Sequence, residues 1–300
     1  MDNLTHTLVG ALIGQAGLKR KTGLAMAALM IGANAPDIDV GCFAWLHGVE
    51  HLGFRRGITH GPIAWAVLPL LVAGGLWWFD RWQARRGTRP DGRLPVSFGW
   101  LFALALLACL THPALDWLNV YGVRLLEPFS HRWFYGDTLF IVDVWLWLLM
   151  GLATWFSLRR EKRGGEWRRP AQIALVVVLG YIGLNGAITS ATAAMASGQP
   201  AIASPLPVLS WTRQLIEPAG PDRWRIDGRK VGNCQLAPIR IASAGNPEAE
   251  AFLFWSRAPF ADRAADGSVI LRDARFYDPR ARDSFSLALP GVTCEELSEP

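Results

Sequence analysis

Apolar positions gather into four long runs, at about residues 61–79, 96–115, 138–158 and 171–194. A helix needs about 20 such residues to cross the hydrocarbon of a bilayer, so each run predicts a spanning helix. Two shorter apolar runs come first, at about 4–18 and 22–35. Runs that short are more often re-entrant or buried in a bundle than independent spans, and they predict a helical hairpin packed among the longer helices. Beyond residue 197 the pattern changes. Pro200, Pro205, Pro207, Pro218 and Pro221 break the chain into loops. Phe252 to Trp255 reads as a strand and residues 268–277 as another, with Ala265, Asp266 and Gly267 supplying turn chemistry between them. The predicted fold is an α-helical integral membrane bundle of four long spans plus a short N-terminal helical hairpin, residues 1–197. A small β-rich domain follows, residues 198–300. No internal repeat or low-complexity tract interrupts either part.

Composition agrees. Half of the 300 residues are hydrophobic (51%), only 18% are charged, and there are 15 Trp. Ordinary soluble domains carry about 25% charged residues, and disorder needs few apolar residues with high net charge. The formal net charge of +5 is unevenly placed. Fourteen of the eighteen basic residues before position 198 lie in three short loops, at 19–21, 81–93 and 159–169. Short basic loops stay in the cytoplasm, and alternating the helices puts all three on that side. Residues 36–60, 112–137 and those beyond 195 then fall outside. The basic excess is therefore a topology signal, and no nucleic acid is needed to explain it. Trp77, Trp78, Trp82 and Trp100 sit near the inner boundaries, where amphipathic rings favour the interface. Lys19, Arg20 and Lys21 follow the first apolar run instead of preceding it, which argues against a cleavable leader. The β-rich part becomes extracytoplasmic, where Cys234 and Cys294 can pair; spacing alone leaves that open.

The ionisable residues are sorted the other way. All six His (His6, His47, His51, His60, His112 and His131) fall at or near the outer side, together with most carboxylates of the membrane part. Ionisable groups at membrane depth cost a few kcal/mol on insertion scales (about 2.5–3.5), so they face a cavity and are paired or functional. His112 and Asp116 are four apart on one helix face, as are Asp2 with His6 and Arg56 with His60. Asp37 and Asp39 flank Ile38 after Pro36, on a turn where two carboxylates can converge on one cation. Imidazole plus carboxylate without thiolate is the ligand set of hydrolytic zinc, with manganese or iron as alternatives. His6, Asp37, Asp39, His60, His112 and Asp116 supply enough ligands for one metal or two. Plainer readings stand beside this: Asp2 as a helix-start charge, Asp37 to Asp39 as an ordinary turn, Asp143 as one half of an ion pair, and His47, His51 and His131 as satisfied polar residues. There is no GxSxG elbow, HExxH or Walker loop. A Ser–His–Asp reading has only Ser130 as a nearby nucleophile.

Five stretches carry a resemblance: residues 1–10, 35–39, 56–61, 111–122, and 128–130 followed by 137–143. In order and spacing they resemble the bacterial inner-membrane, metal-dependent hydrolase family that includes the LexA-regulated YdjM-type proteins. The tail is covered more loosely, through Phe254 to Arg257 and Asp273 to Phe276. The resemblance implies a multi-span inner-membrane protein and marks Asp2, His6, Asp37, Asp39, Arg56, His60, His112, Asp116, Asp137 and Asp143. One departure is Arg55, where the family often has His; His51 is the available substitute.

The reading that follows is a membrane-embedded metallohydrolase whose site opens outward. It would act on a lipid or envelope-derived ester, phosphoester favoured, through a metal-activated water. The metal would be held by His6, Asp37, Asp39, His60, His112 and Asp116. Asp2 or Asp143 would orient the water or a ligand, and Arg56 would neutralise an anionic group in the transition state. The alternative is a non-enzymatic envelope-stress or partner-binding membrane protein whose polar cluster holds the bundle together. A transporter is disfavoured by the shortage of charge on the cytoplasmic half of the helices.

Overall fold

The computed structural model describes residues 1–197, 200–277 and 285–297. The chain divides into two units: one of residues 1–39, 56–186 and 207–210, the other of 40–55, 187–206 and 211–300.

The first unit is helical. Asp2 starts α1 (Asn3–Gln15) by accepting from Leu4 N and Thr5 N, both at 3.0 Å, which satisfies two of the orphan donors of the first turn. After a short 3₁₀ turn comes α2 (Ala25–Asn34). These two are the predicted hairpin, and they pack on each other. A Cβ built on Gly10 would lie 2.6 Å from Leu29 O, and one on Gly32 would lie 2.8 Å from Ala105 O. Hydrogen in place of a side chain is what lets these backbones meet, as small residues do in membrane bundles. The long helices are α3 (Pro62–Arg85), α4 (Phe98–Trp117), α5 (Val144–Lys162) and α6 (Arg168–Ala194). Leu29, Ala33, Ala73, Leu101, Leu104 and Ala108 form one apolar core among α2, α3 and α4. Leu12, Leu115, Leu146, Met150 and Ala174 belong to a second, among α1, α4, α5 and α6.

Among the described residues, three helices are long and apolar enough to cross a membrane: α3, α4 and α6. The predicted fourth, α5, differs in two ways. Its helix starts at Val144 and not near 138, because Asp143 caps it. Its last turn carries Arg159, Arg160 and Lys162. Residues 138–143 instead form an extended bend in which Leu139 bridges to Asn119.

The second unit carries two antiparallel sheets. In the first, β1 (Ile202–Pro205), β2 (Arg213–Pro218), β3 (Trp224–Ile226) and β4 (Arg229–Val231) run in sequence order. Two helices follow, α7 (Leu236–Ala242) and α8 (Pro247–Trp255). The second sheet orders β5 (Pro259–Arg263), β6 (Val269–Asp273) and β7 (Ser286–Leu289). The strand expected at Phe252 to Trp255 is therefore the last turn of a helix. Asn246 caps Glu248 N and Ala249 N, Pro247 sits at the first position, and Phe252 and Trp255, three apart, are both fully buried. The expected strand at 268–277 is shorter, turning into a 3₁₀ helix at Ala274–Phe276. The turn at Ala265 to Gly267 is present, with Gly267 at φ +86°, but it joins β5 to β6. Cys234 and Cys294 form a disulfide with Cα atoms 5.2 Å apart. Residues 40–55, expected to belong with the membrane part, join this unit, where the helical turn His51–Phe54 packs on α8.

Candidate metal centre

The centre is built on Asp116, in the last turn of α4 and fully buried. His112 lies one turn earlier on the same face, also fully buried, with its Nε2 3.6 Å from Asp116 Oδ2. His112 Nδ1 is 2.6 Å from the Ala33 carbonyl. A carbonyl only accepts, so Nδ1 carries the proton. In the neutral ring Nε2 is then a lone pair, and it faces Asp116 and, at 3.8 Å, Asp37 Oδ1.

His6 comes from the second turn of α1 and stacks on His112, with ring centroids 3.7 Å apart and planes 16° from parallel. Its Nε2 lies 3.4 Å from Asp116 Oδ1. His60 ends a 3₁₀ turn before α3, with Nε2 3.3 Å from Asp116 Oδ2. Thr59 Oγ1 donates to Asp39 Oδ2 at 3.2 Å and meets His60 Nδ1 at 3.0 Å. With its hydroxyl proton on Asp39, Thr59 accepts from His60 Nδ1–H, which aims Nε2 at Asp116. This is the supporting arrangement common behind metal-binding imidazoles.

Two overlapping sets bring their ligand atoms within 4.8 Å of one another: His6, Asp37 and His112, and His60, His112 and Asp116. The imidazole-to-carboxylate distances of 3.3, 3.4, 3.6 and 3.8 Å exceed normal hydrogen bonds. Two donors on one tetrahedral zinc, each about 2.0–2.2 Å from it, lie roughly 3.4 Å apart. His6 Nδ1 and Nε2, His112 Nε2 and Asp116 Oδ2 make no hydrogen bond although buried, a costly condition for polar atoms. The donor set and its spacing fit a divalent cation.

Arg56 has its Nε 3.1 Å from Asp116 Oδ2. Its guanidinium also donates to Asn119 Oδ1 at 3.0 Å and to the Gly122 and Met1 carbonyls at 3.3 Å, and it lies over the Tyr121 ring. Its backbone has φ +55°, a conformation costing about 1–3 kcal/mol outside glycine; its N–H donates to Asp39 at 2.7 Å. In this structure the anion it faces is Asp116, as a counter-ion inside the site. The Met1 amino group also contacts Asp116 Oδ1.

The two carboxylates of the turn part company: Asp37 joins the cluster with His6 and His112, while Asp39 meets Thr59 and Arg56 N. Asp2 uses its oxygens on Leu4 N, Thr5 N, Thr5 Oγ1 and Trp147 Nε1. Asp143 caps α5 through Trp145 N and Leu146 N at 3.0 Å and accepts from Tyr181 at 2.8 Å and Ser210 at 3.1 Å. The geometry gives both Asp2 and Asp143 capping roles. Asp137 is buried but in neither ligand set. His51, the suggested substitute ligand, belongs to the other unit and meets Gly48 O at 2.9 Å; burial pushes its pKa down. His131 is exposed and pairs with Glu127, and His47 is exposed. Ser130 Oγ accepts from Arg132 N.

Sequence reasoning did not single out Thr59, Asn119, Tyr121 or Arg124. Asn119 is fully buried and accepts from Tyr121 N as well as Arg56. Arg124 is buried, donates its N–H to Arg56 O at 2.9 Å and lies over Trp133; burial lowers its pKa, against the nearby Glu127. The signal available for Asn119 and Tyr121 was their place inside the stretch 111–122.

The comparisons with known proteins agree with this frame. The YdjM inner membrane protein family matches residues 1–192, nearly two thirds of the chain and all of the cluster. The chain is 27% identical over 167 residues to the uncharacterized protein YfhP of Bacillus subtilis, a match covering 52% of this chain and 47% of that protein. The chain thus spans about half the length of the curated relative it matches. No solved structure matches. The chain belongs to the YdjM inner membrane protein family, and its apolar helices agree with an inner-membrane protein.

Proposed function

We propose that this member of the YdjM family is a membrane-embedded, metal-dependent hydrolase acting on a lipid or envelope-derived ester, phosphoester favoured. One observation carries the reading: the His112 Nε2 lone pair faces two carboxylates across distances too long for hydrogen bonds and suited to a shared cation. His6, His60, His112, Asp37 and Asp116 would hold it, zinc first and manganese or iron as alternatives. When bound, such a cation polarises an ester or phosphoryl oxygen and lowers the pKa of water. The remaining work falls to the chain. Asp39, through Thr59, holds His60 in its tautomer. Ala33 does the same for His112. Arg56, clamped by Asn119 and Gly122, holds Asp116 in place, and the stacked His6 and His112 rings shield the centre.

The membrane reading is of four spans, with α5 as the fourth, the three basic loops in the cytoplasm and the second unit outside. The Cys234–Cys294 disulfide supports the last point, because such bonds persist in oxidising compartments.

A second reading has its own observation. Asp116 already has the Arg56 and Met1 cations beside it, as a purely structural cluster would. Elemental analysis and thermal unfolding of the purified protein, with and without a chelator, separate the two. The hydrolase reading expects stoichiometric metal, and a lowered midpoint on chelation that His112→Ala abolishes. Metal-free protein indifferent to chelator would leave the structural reading.

A further inference from the structure

Beside the metal centre lies an open groove of about 650 Å³, walled by α1, α2 and α3. Its size falls in the ordinary range of small-molecule sites, about 300–1,000 Å³. Most of its lining is apolar: Met30 and Ile31 on α2, Leu68, Leu71 and Val72 on α3. One end is polar, where Thr7, Asn34 and Asp37 line it. Asp37 is therefore shared, being a wall of the groove and a member of the set with His6 and His112.

Asn34 packs behind that polar end. Its amide nitrogen donates to the Met30 carbonyl at 2.8 Å and to Thr7 Oγ1 at 2.9 Å. The Met30 carbonyl can only accept, so the orientation of the amide is fixed. Its Oδ1 makes no hydrogen bond although buried. That oxygen is closed off from solvent, so the groove's own polar end is presented by Asp37 and Thr7.

The direction of the groove matters as much as its lining. Asn34 ends α2 and Asp37 follows it, on the side where α3 begins. From there Leu68 to Val72 lie two to three turns into α3, roughly 9–15 Å along its axis at 1.5 Å per residue. Helix α3 is a candidate span, and Leu71 is 64% exposed. A groove in such a wall is bathed in hydrocarbon, and its polar end lies at the end of the span.

We propose that this groove holds one acyl chain of a membrane glycerolipid. The chain lies along Met30, Ile31, Leu68 and Leu71, and the lipid's headgroup, whose ammonium or hydroxyl donors suit a carboxylate, lies at Asp37. The proposal rests on the hydrolase reading and names its substrate class. The occupant is a lipid and not a protein helix, because an apolar groove ending on a carboxylate matches an acyl chain that ends in a headgroup with ammonium or hydroxyl donors.

The test uses the full chain in nanodiscs of phosphatidylethanolamine and phosphatidylglycerol, with a trace of phospholipid bearing a diazirine in mid-chain. After irradiation, labelled residues are mapped by mass spectrometry. The expected result is labelling concentrated on Met30, Ile31 and Leu71, saturating at one lipid per chain. Leu68→Trp, which fills the groove, should cut it at least fivefold, and Ile31→Trp, on the opposite wall, should do the same at Leu71. Leu179→Trp, on the exposed face of α6, should leave it unchanged. Labelling spread evenly over α3, α5 and α6, or indifferent to both filling variants, would overturn the proposal, since that is what ordinary surrounding lipid gives. Failure of the hydrolase reading shows up separately, as absence of metal from the wild-type protein, and leaves the labelling to decide the groove.

Discussion

Two fully buried carboxylates, one in each unit, are treated in opposite ways. Asp273, in the β-rich unit, is closed. Arg275 grips it with Nε and Nη2, both at 2.8 Å, Ser256 donates a hydroxyl at 2.5 Å, and Arg257 adds a backbone N–H at 3.1 Å. Burial alone would raise its pKa, but the guanidinium and these hydrogen bonds outweigh burial and hold it below the ordinary value. Asp116, in the helical unit, has Arg56 and the Met1 amino group beside it, but its other neighbours are imidazoles at 3.3–3.6 Å, and its Oδ2 makes no hydrogen bond. A saturated carboxylate fastens one segment to another: Asp273 ties the end of α8 to the end of β6. A carboxylate faced by the Nε2 lone pairs of His60 and His112 leaves room for a cation on that side. Buried acids with near-equal exposure are thus told apart by whether their partners bring protons or lone pairs.

The largest expected effect comes from breaking the open one. Asp116→Asn should cut metal retained by the purified protein at least tenfold, while the β-rich unit stays folded by circular dichroism. If metal content is unchanged, Asp116 is not a ligand. Breaking the closed one should do the reverse. Asp273→Ala strands the Arg275 charge in the interior and should destabilise its unit by about 3–5 kcal/mol, with metal content intact.

Acid sharpens the same contrast. The folded pKa of Asp273 is depressed, so its contribution to stability is full above the unfolded value of about 3.9 and is lost as pH falls through the lower folded value. Unfolding of the β-rich unit should therefore be insensitive to this group between pH 7 and 5 and should weaken below about pH 4. In Asp273→Asn that acid loss should shrink. Opening the Cys234–Cys294 link, which closes a separation of 60 residues, should cost this unit about 2–4 kcal/mol. Cys294→Ser measured by chemical denaturation checks it, again with no change in metal.

The smallest effect belongs to the caps. Asp143→Ala removes the cap of α5 and should cost about 1–2 kcal/mol of stability without changing metal content. A tenfold metal loss in that variant would return Asp143 to the site.

Much of the helical unit was legible because hydrocarbon-length apolar runs have few alternative structures. His112 and Asp116 were legible as a pair because a helix fixes which residues share a face. Asp37 and Asp39 were not separable, since on a 3₁₀ turn no simple period says which neighbour each will meet. The Phe252 to Trp255 run was misread because four apolar residues suit a strand or a buried helical turn equally; the Asn246-Pro247 helix start upstream was the deciding signal. The disulfide stayed open because only Cα separation decides it. The two tail stretches, Phe254 to Arg257 and Asp273 to Phe276, are explained by their meeting: Ser256 and Arg257 bind Asp273, and Arg275 lies over Trp255.

X-ray absorption at the metal edge, on full-length protein purified without chelator, reads the open carboxylate most directly. The expected spectrum shows one or two ions per chain with only nitrogen and oxygen neighbours, imidazole among them, at about 2.0–2.2 Å. In Asp116→Asn the signal should disappear. Protein that folds, resides in the membrane and carries no stoichiometric metal, or a metal bound by sulfur, would contradict it.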